Sequence, residues 1–301
     1  MDLRDHLREG TFVVTGELGP PVEPDGGVVR AAAAALAPVV HAANITDNQA
    51  ASVKMSPLAC ATFMRDAGLE PILQITGRDR NLLALQADLL GAWALGVRTV
   101  LALSGDPLHI GLYEGRATHV RDVDSLGLAQ MIASMNSGAL LGGERLIHPP
   151  DFLIAGAANP LVDSVERLET KLDAGVRLLQ TNIVYDVDRF REWFAPLVAS
   201  GIPRRAPVLV GVTPPRSTNM LRFLHERIPG VEVDEQTFAR MDGLEGLDAK
   251  QEGVRIAADV TTALRDIEGV AGVHIMAPGW EVEAVPQVTA LAQLSAGVNR
   301  A

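Results

Sequence analysis

Eight short apolar runs recur along the chain: Phe12–Leu18, Val39–Thr46, Pro71–Thr76, Thr99–Leu103, Phe152–Ala157, Leu178–Tyr185, Pro207–Val212 and Gly272–Met276. Most lack a strict apolar–polar alternation, the pattern of strands covered on both faces in a parallel sheet. Helical stretches separate them, at Gly26–Ala37, Pro57–Ala67, Leu82–Leu95, Ser125–Ser137, Pro160–Ala174, Val187–Ser200, Ser217–Arg227 and Gln251–Ile267. Several stop at a glycine suited to a helix C-terminus: Gly68, Gly96, Gly175, Gly201 and Gly269. A strand followed by a helix, repeated eight times, predicts an α/β chain closed into a (β/α)8 TIM barrel, a single domain over residues 1–301. An open, doubly wound sheet is the alternative. The turn after the first run, Glu17-Leu-Gly-Pro-Pro21, lacks the Gly-x-Gly-x-x-Gly fingerprint such a sheet would use for a dinucleotide, and the chain has no P-loop. The acidic stretch Val231–Ala249 reads as an elaborated connection between the last two helices, and the tail after Trp280 as one more short helix.

Composition narrows the classes of function. The 301 residues carry 26 basic and 37 acidic side chains, a formal net charge of −11 that argues against a nucleic-acid surface. Apolar residues make up 48% of the chain, enough for a large core. A single cysteine, Cys60, excludes a disulfide framework and a cysteine-based zinc site, and suits a reducing compartment. The opening residues, Met1–Glu9, are charged and contain no signal-peptide core, and the longest apolar run, Ala31–Val40, is too short to span a bilayer. The expectation is a cytoplasmic protein away from membranes.

In a barrel of this kind the active site forms at the C-terminal ends of the strands. Those ends carry Glu17, Thr46-Asp47-Asn48, Gln74 with Thr76, Ser104-Gly105-Asp106, Ala157 to Asn159, Gln180 with Asn182, Thr213 and His274. Polar residues therefore gather at one rim of an otherwise apolar ring. Glu17, Asp47, Asp106 and His274 could be read as ligands of a metal-dependent aldolase, but no close pair such as His-x-His accompanies them, and no metal is assigned.

Three segments, Asn44-Ile-Thr-Asp-Asn-Gln-Ala-Ala-Ser52, Gln74-Ile-Thr-Gly-Arg-Asp-Arg-Asn81 and Val100-Leu-Ala-Leu-Ser-Gly-Asp-Pro107, resemble bacterial methylenetetrahydrofolate reductase. The Glu17 motif, Lys171-Leu-Asp-Ala-Gly175, Gln180-Thr-Asn182 and Val273-His-Ile-Met276 extend the resemblance in order from Glu17 to Met276. It implies a barrel that passes a hydride from NAD(P)H to 5,10-methylenetetrahydrofolate through a bound flavin, FAD in the first instance, with FMN or no flavin as alternatives. By the same resemblance Glu17 is the general acid that opens the folate ring by protonating N10, and Asp106 lies beside the flavin and the pterin. Thr46, Gln74, Ser104, Gly105, Asp106, Asn159 and Lys171 fall at cofactor-contacting positions, and Glu17, Asp106 and Asn182 at substrate-contacting ones. The best-known members carry histidine at Gln74, arginine at Ser104, tyrosine at Asn159 and glutamine at Asn182. Two other functions stay open: direct hydride transfer without flavin, and a non-catalytic barrel subunit of a larger reductase. A homo-oligomer and the choice between NADH and NADPH also stay open. Plainer readings stand beside these: a strand-end ion pair for Glu17, an Asp-Pro turn for Asp106, a solvated helix end for Lys171, and packing for His274, Trp93, Trp193 and Trp280.

Overall fold

Strands β1 (Val13–Leu18), β2 (Ala42–Ile45), β3 (Pro71–Thr76), β4 (Thr99–Leu103), β5 (Leu153–Ala158), β6 (Leu178–Ile183), β7 (Val208–Val212) and β8 (Val270–Ile275) pair in chain order, all parallel. β8 returns to β1 in register from Val13–Gly272 to Gly16–Ile275, which closes the ring. This is a computed structural model, and it describes residues 1–294. Residues 295–301, the end of the domain span expected from the sequence, lie outside the described residues.

Helices α1 (Leu3–Arg8), α2 (Gly26–Leu36), α3 (Pro57–Asp66), α4 (Leu82–Ala94), α5 (Ser125–Asn136), α6 (Val165–Asp173), α7 (Val187–Ser200), α8 (Ile202–Arg205), α9 (Thr218–Arg227), α10 (Glu235–Met241), α11 (Gly246–Arg265) and α12 (Glu281–Leu291) accompany the strands. The five glycines expected at helix ends all adopt positive φ, between +78° and +105°. Where the boundaries differ from expectation, local chemistry explains it. The segment from Pro160 turns on the Asn159 side chain, and the helix starts only where the Ser164 hydroxyl accepts from Arg167 N–H. The expected Val39–Thr46 strand shortens to Ala42–Ile45, with His41 N–H bonded to Val14 O as the chain enters the barrel. The acidic stretch Val231–Ala249 contains α10 and the first turn of α11, which therefore begins before Gln251.

Two concentric cores result. Alternate strand residues face the barrel interior, where the lower layer is apolar: Val13, Ala42, Ile72, Leu101, Leu153, Leu178 and Leu209, plugged from below by Leu3 of α1. The outward residues pack against the helices in a larger cluster that includes Val14, Ile45, Leu73, Val100, Ile154, Leu179 and Val210. Above that apolar floor, on the same inward face, stand Asn44, Gln74 and Gln180, two residues on, with Glu17, four residues on, and His274, all buried. Polar side chains thus occupy the upper storey of an interior whose lower storey is sealed. Among the described residues no helix is long and apolar enough to cross a membrane.

Candidate active site

The upper storey opens into a cavity of about 490 Å³ lined by Glu17, Gln74, Asp106, Lys171, Asn182 and His274 among others. Glu17 ends β1, with 7% of its surface exposed. Gln74 Nε2 donates to Glu17 Oε2 at 3.2 Å, and His274 Nε2 lies 3.7 Å from the same oxygen. On its other side the His274 ring is fixed by Thr15, whose Oγ1 is 2.9 Å from Nδ1. Both neighbours sit on one oxygen, and Oε1 carries no hydrogen bond among the described residues, so it is the free edge of the carboxyl.

Opposite, the β4–α5 loop presents Asp106. Its Oδ2 accepts from the backbone N–H of Ala50 at 2.7 Å. Asn48, Ala50 and Ala51 all have positive φ, near +50°, an arrangement that non-glycine residues rarely adopt and that turns the Ala50 N–H toward the carboxylate. Beneath the loop lies Arg78, whose side chain is 1% exposed. It forks onto Asp79 at 2.6 and 2.7 Å and donates to the carbonyls of Asp106 and Asn48, each at 3.2 Å. Asp79 and the nearby carboxylates hold the Arg78 guanidinium above even its ordinary basic range. Gly105 has φ +86°, and a β-carbon there would come within 2.8 Å of Arg78 Cβ, so glycine is required on both counts. Asp47 is committed to structure: it accepts from Thr76 N–H and Oγ1 and from both terminal nitrogens of Arg80.

The remaining expected residues divide between lining and support. Lys171 donates to Asp163 and to Ala157 O, both at 2.7 Å, and Arg167 pairs with the same Asp163 at 2.9 Å. Ser104 lines the cavity while its hydroxyl accepts from Ser125 N–H at the start of α5. Asn159 and Asn182 both donate to the carbonyl of Pro229, tying the α9–α10 loop to the rim. Thr46 is buried just past the end of β2. Among the described residues no histidines, cysteines or carboxylates cluster as a metal would require, and Glu17, Asp47, Asp106 and His274 form no ligand set.

Further residues of the site carry no assignment from the sequence alone. The side-chain amides of Asn44 and Gln180 exchange hydrogen bonds of 2.9 and 3.1 Å across the barrel, forming part of the cavity lining. Asp163, Arg167 and Lys171 recur at intervals of four, a helix-face signal legible in the sequence. Arg78 and Arg80 stand inside the Gln74–Asn81 segment, where they alternate with Asp79.

A second cavity, of about 410 Å³, runs between α5 and α6 and shares Leu103, Ser104, Ala157, Arg167 and Lys171 with the first. The junction of the two is therefore basic, and the side cavity beyond it is lined by Leu126, Ala129 and Val176.

A family model for methylenetetrahydrofolate reductase matches residues 2–289. Methylenetetrahydrofolate reductase 1 of Schizosaccharomyces pombe is 24% identical over 218 residues, covering 68% of this chain and 32% of its own length. Methylenetetrahydrofolate reductase 2 of Saccharomyces cerevisiae is 25% identical over 223 residues, 71% of this chain and 35% of that protein. The chain thus spans about a third of the length of these curated relatives. A solved structure of an uncharacterized Clostridium thermocellum protein, described as binding two copies of 5-methyl-5,6,7,8-tetrahydrofolic acid, superposes with a TM-score of 0.68. It is 14% identical and covers 97% of this chain and 99% of the other, a likeness of fold.

Proposed function

The chain belongs to the methylenetetrahydrofolate reductase family, and we propose that its barrel mouth reduces 5,10-methylenetetrahydrofolate to 5-methyltetrahydrofolate with a hydride from NAD(P)H. The observation that carries this reading is Glu17. It is a shielded carboxyl with one oxygen held by Gln74 and the other left to the cavity. A group so placed can deliver a proton to a substrate nitrogen, the act that opens the folate ring before hydride arrives. Asp106 faces the same cavity with its carboxylate fixed by Ala50, ready to accept from the N–H edge of a pterin. Water is kept from the floor of the cavity by the apolar storey beneath.

The two adjoining cavities support a dinucleotide lying across them: the reactive ring in the mouth, the diphosphate at Arg167 and Lys171, the adenosine against Leu126, Ala129 and Val176. FAD fits this cradle, with Ser104, Gly105 and Asp106 along its ring, and when bound it would relay the hydride from NAD(P)H. A second reading places NAD(P)H itself in the cradle, beside the folate. It is favoured by the engagement of Ser104 with Ser125, and of Asn159 with Pro229, at positions that the family resemblance gives to flavin. The absorbance spectrum of the purified protein separates the two. A flavin band with stoichiometric release on denaturation supports the relay. A colourless protein that turns over folate without added FAD or FMN leaves direct transfer.

A further inference from the structure

We propose that the foot of the barrel holds a second binding site, for compact polyanions bearing two or more phosphoryl groups. A cavity of about 600 Å³ opens there, at the end opposite Glu17, between α1 and the segments leading into β5, β6 and β7. Its volume lies in the range of small-molecule sites. Five of its fourteen lining residues are arginines: Arg4, Arg8, Arg177, Arg204 and Arg205. In the chain as a whole about one residue in twelve is basic. Asp151 is the one acidic residue in the lining.

Three of the arginines are fixed in place. Arg4 bonds the Asp151 carboxylate at 2.5 Å and its carbonyl at 2.7 Å. One nitrogen of Arg177 donates to the carbonyls of Leu172 and Val176, both at 2.7 Å, at the end of α6. Arg205 pairs with Glu169 at 2.5 Å. Arg8 and Arg204 have no carboxylate within 4 Å among the described residues, and both are exposed. Asp151 and Glu169 therefore answer two of five positive charges, and the rest repel one another across a concave surface. An anion spanning them relieves that repulsion. Guanidinium forks match phosphate oxygens two at a time, and a ligand with several phosphoryl groups can engage several forks at once.

The charge of the whole molecule sharpens the inference. At a formal −11 the chain repels anions at long range, so affinity for a polyanion must come from a local concentration of positive charge. The only other such pair on a cavity described above is Arg167 with Lys171 at the mouth, where Asp163 already offsets one charge. Nothing in this proposal depends on the reaction proposed for the mouth.

The test is isothermal titration calorimetry with inorganic triphosphate at 150 mM salt, roughly physiological ionic strength. It compares the unaltered chain, Arg8→Gln and Arg204→Gln singly and together, and Arg222→Gln. The unaltered chain is expected to bind saturably. The paired foot variant should lose at least tenfold in affinity, each single variant less, and Arg222→Gln, an exposed arginine of α9 that lines neither cavity, should bind as the unaltered chain does. Thermal melting checks that each variant is folded, and the exposed single variants keep the test readable if the pair is not. A parallel titration with ATP identifies the source of the chemistry: tighter binding than triphosphate points to a nucleotide, equal binding to an oligophosphate alone. Absence of saturable binding at millimolar ligand overturns the proposal. So does unchanged affinity in the foot variants, or an equal loss in Arg222→Gln.

Discussion

Gln74 donates its side-chain N–H to Oε2 of Glu17 across 3.2 Å, joining the ends of β3 and β1 inside the barrel. The bond leaves the other carboxyl oxygen to the cavity and makes Glu17 a directed group. Glu17→Gln keeps the volume and the contact but has no proton to donate. General acid catalysis is worth about 10²–10⁴-fold, so folate reduction should fall by at least that much. The variant should stay folded and still bind folate. If a flavin is bound, its reduction by NAD(P)H in stopped flow should proceed normally while folate-dependent reoxidation stalls.

Asp106→Asn removes charge while its amide oxygen can still accept from Ala50 N–H. Turnover of folate should drop by roughly one to three decades, each about 1.4 kcal/mol of transition-state stabilisation. Stability should move by no more than about 0.5 kcal/mol, since the loop keeps its hydrogen bond. Steady-state kinetics paired with urea denaturation reads both.

Arg78 ties the Asp106 loop to the turn after β2 from beneath, donating to one backbone carbonyl in each, Asp106 O and Asn48 O. Lysine supplies one charge but no fork, so Arg78→Lys should cost about 2–4 kcal/mol of stability by leaving buried acceptors unmet. Its effect on kcat/KM should overlap with that of Asp106→Asn: in the double variant the losses should fall well short of multiplying. Multiplicative losses would make Arg78 a fold residue with no tie to Asp106.

The barrel was legible because its eight strands are short apolar runs and its helix ends carry glycine where positive φ is needed. Glu17, Asp106 and His274 were legible as polar residues at the rim of apolar strands. The partners that set their geometry were not. Arg78 and Asp79 look like surface charge in a linear sequence, and only the closure of the ring brings Arg78 under Gly105. Asn182, expected at the substrate, lines the cavity and donates its amide to Pro229 O, while Gln180, two residues earlier, lies on the inward face opposite Asn44. A register shift between Gln180 and Ile183 along β7 separates the two, and no period-of-two pattern reveals such a shift. Helices α1, α8 and α10 escaped because they are short: α1 and α10 are marked mainly by their Asp2 and Asp234 caps, and α8 is a four-residue turn that follows Gly201 with no side-chain cap.

Lys171→Met removes one of the two cations at the junction of the cavities. If that junction holds a diphosphate, affinity for the dinucleotide should weaken about 10- to 100-fold, the worth of one charged hydrogen bond. Affinity for folate should stay put. Equal losses for both ligands would assign Lys171 to holding β5 and α6 together.

At the foot of the barrel Glu70 receives the N–H of Leu3, and burial raises its pKa to about 7, against the partial relief of that bond. Because the folded-state value exceeds the unfolded one, the folded chain holds the proton more tightly. Stability is fullest below the ordinary glutamate range and declines as pH rises through about 7. Glu70→Gln should remove this decline and gain on the order of 3 kcal/mol at pH 8, with little change at acid pH. Urea melts across that range measure it.

The product of the barrel mouth is the decisive observable. The purified chain, supplied with 5,10-methylenetetrahydrofolate and NADH or NADPH under anaerobic conditions, with and without FAD or FMN, should yield 5-methyltetrahydrofolate in step with the oxidation of the nicotinamide. Glu17→Gln should abolish that yield. Failure of every donor and flavin combination to produce 5-methyltetrahydrofolate from the folded protein would contradict the assignment.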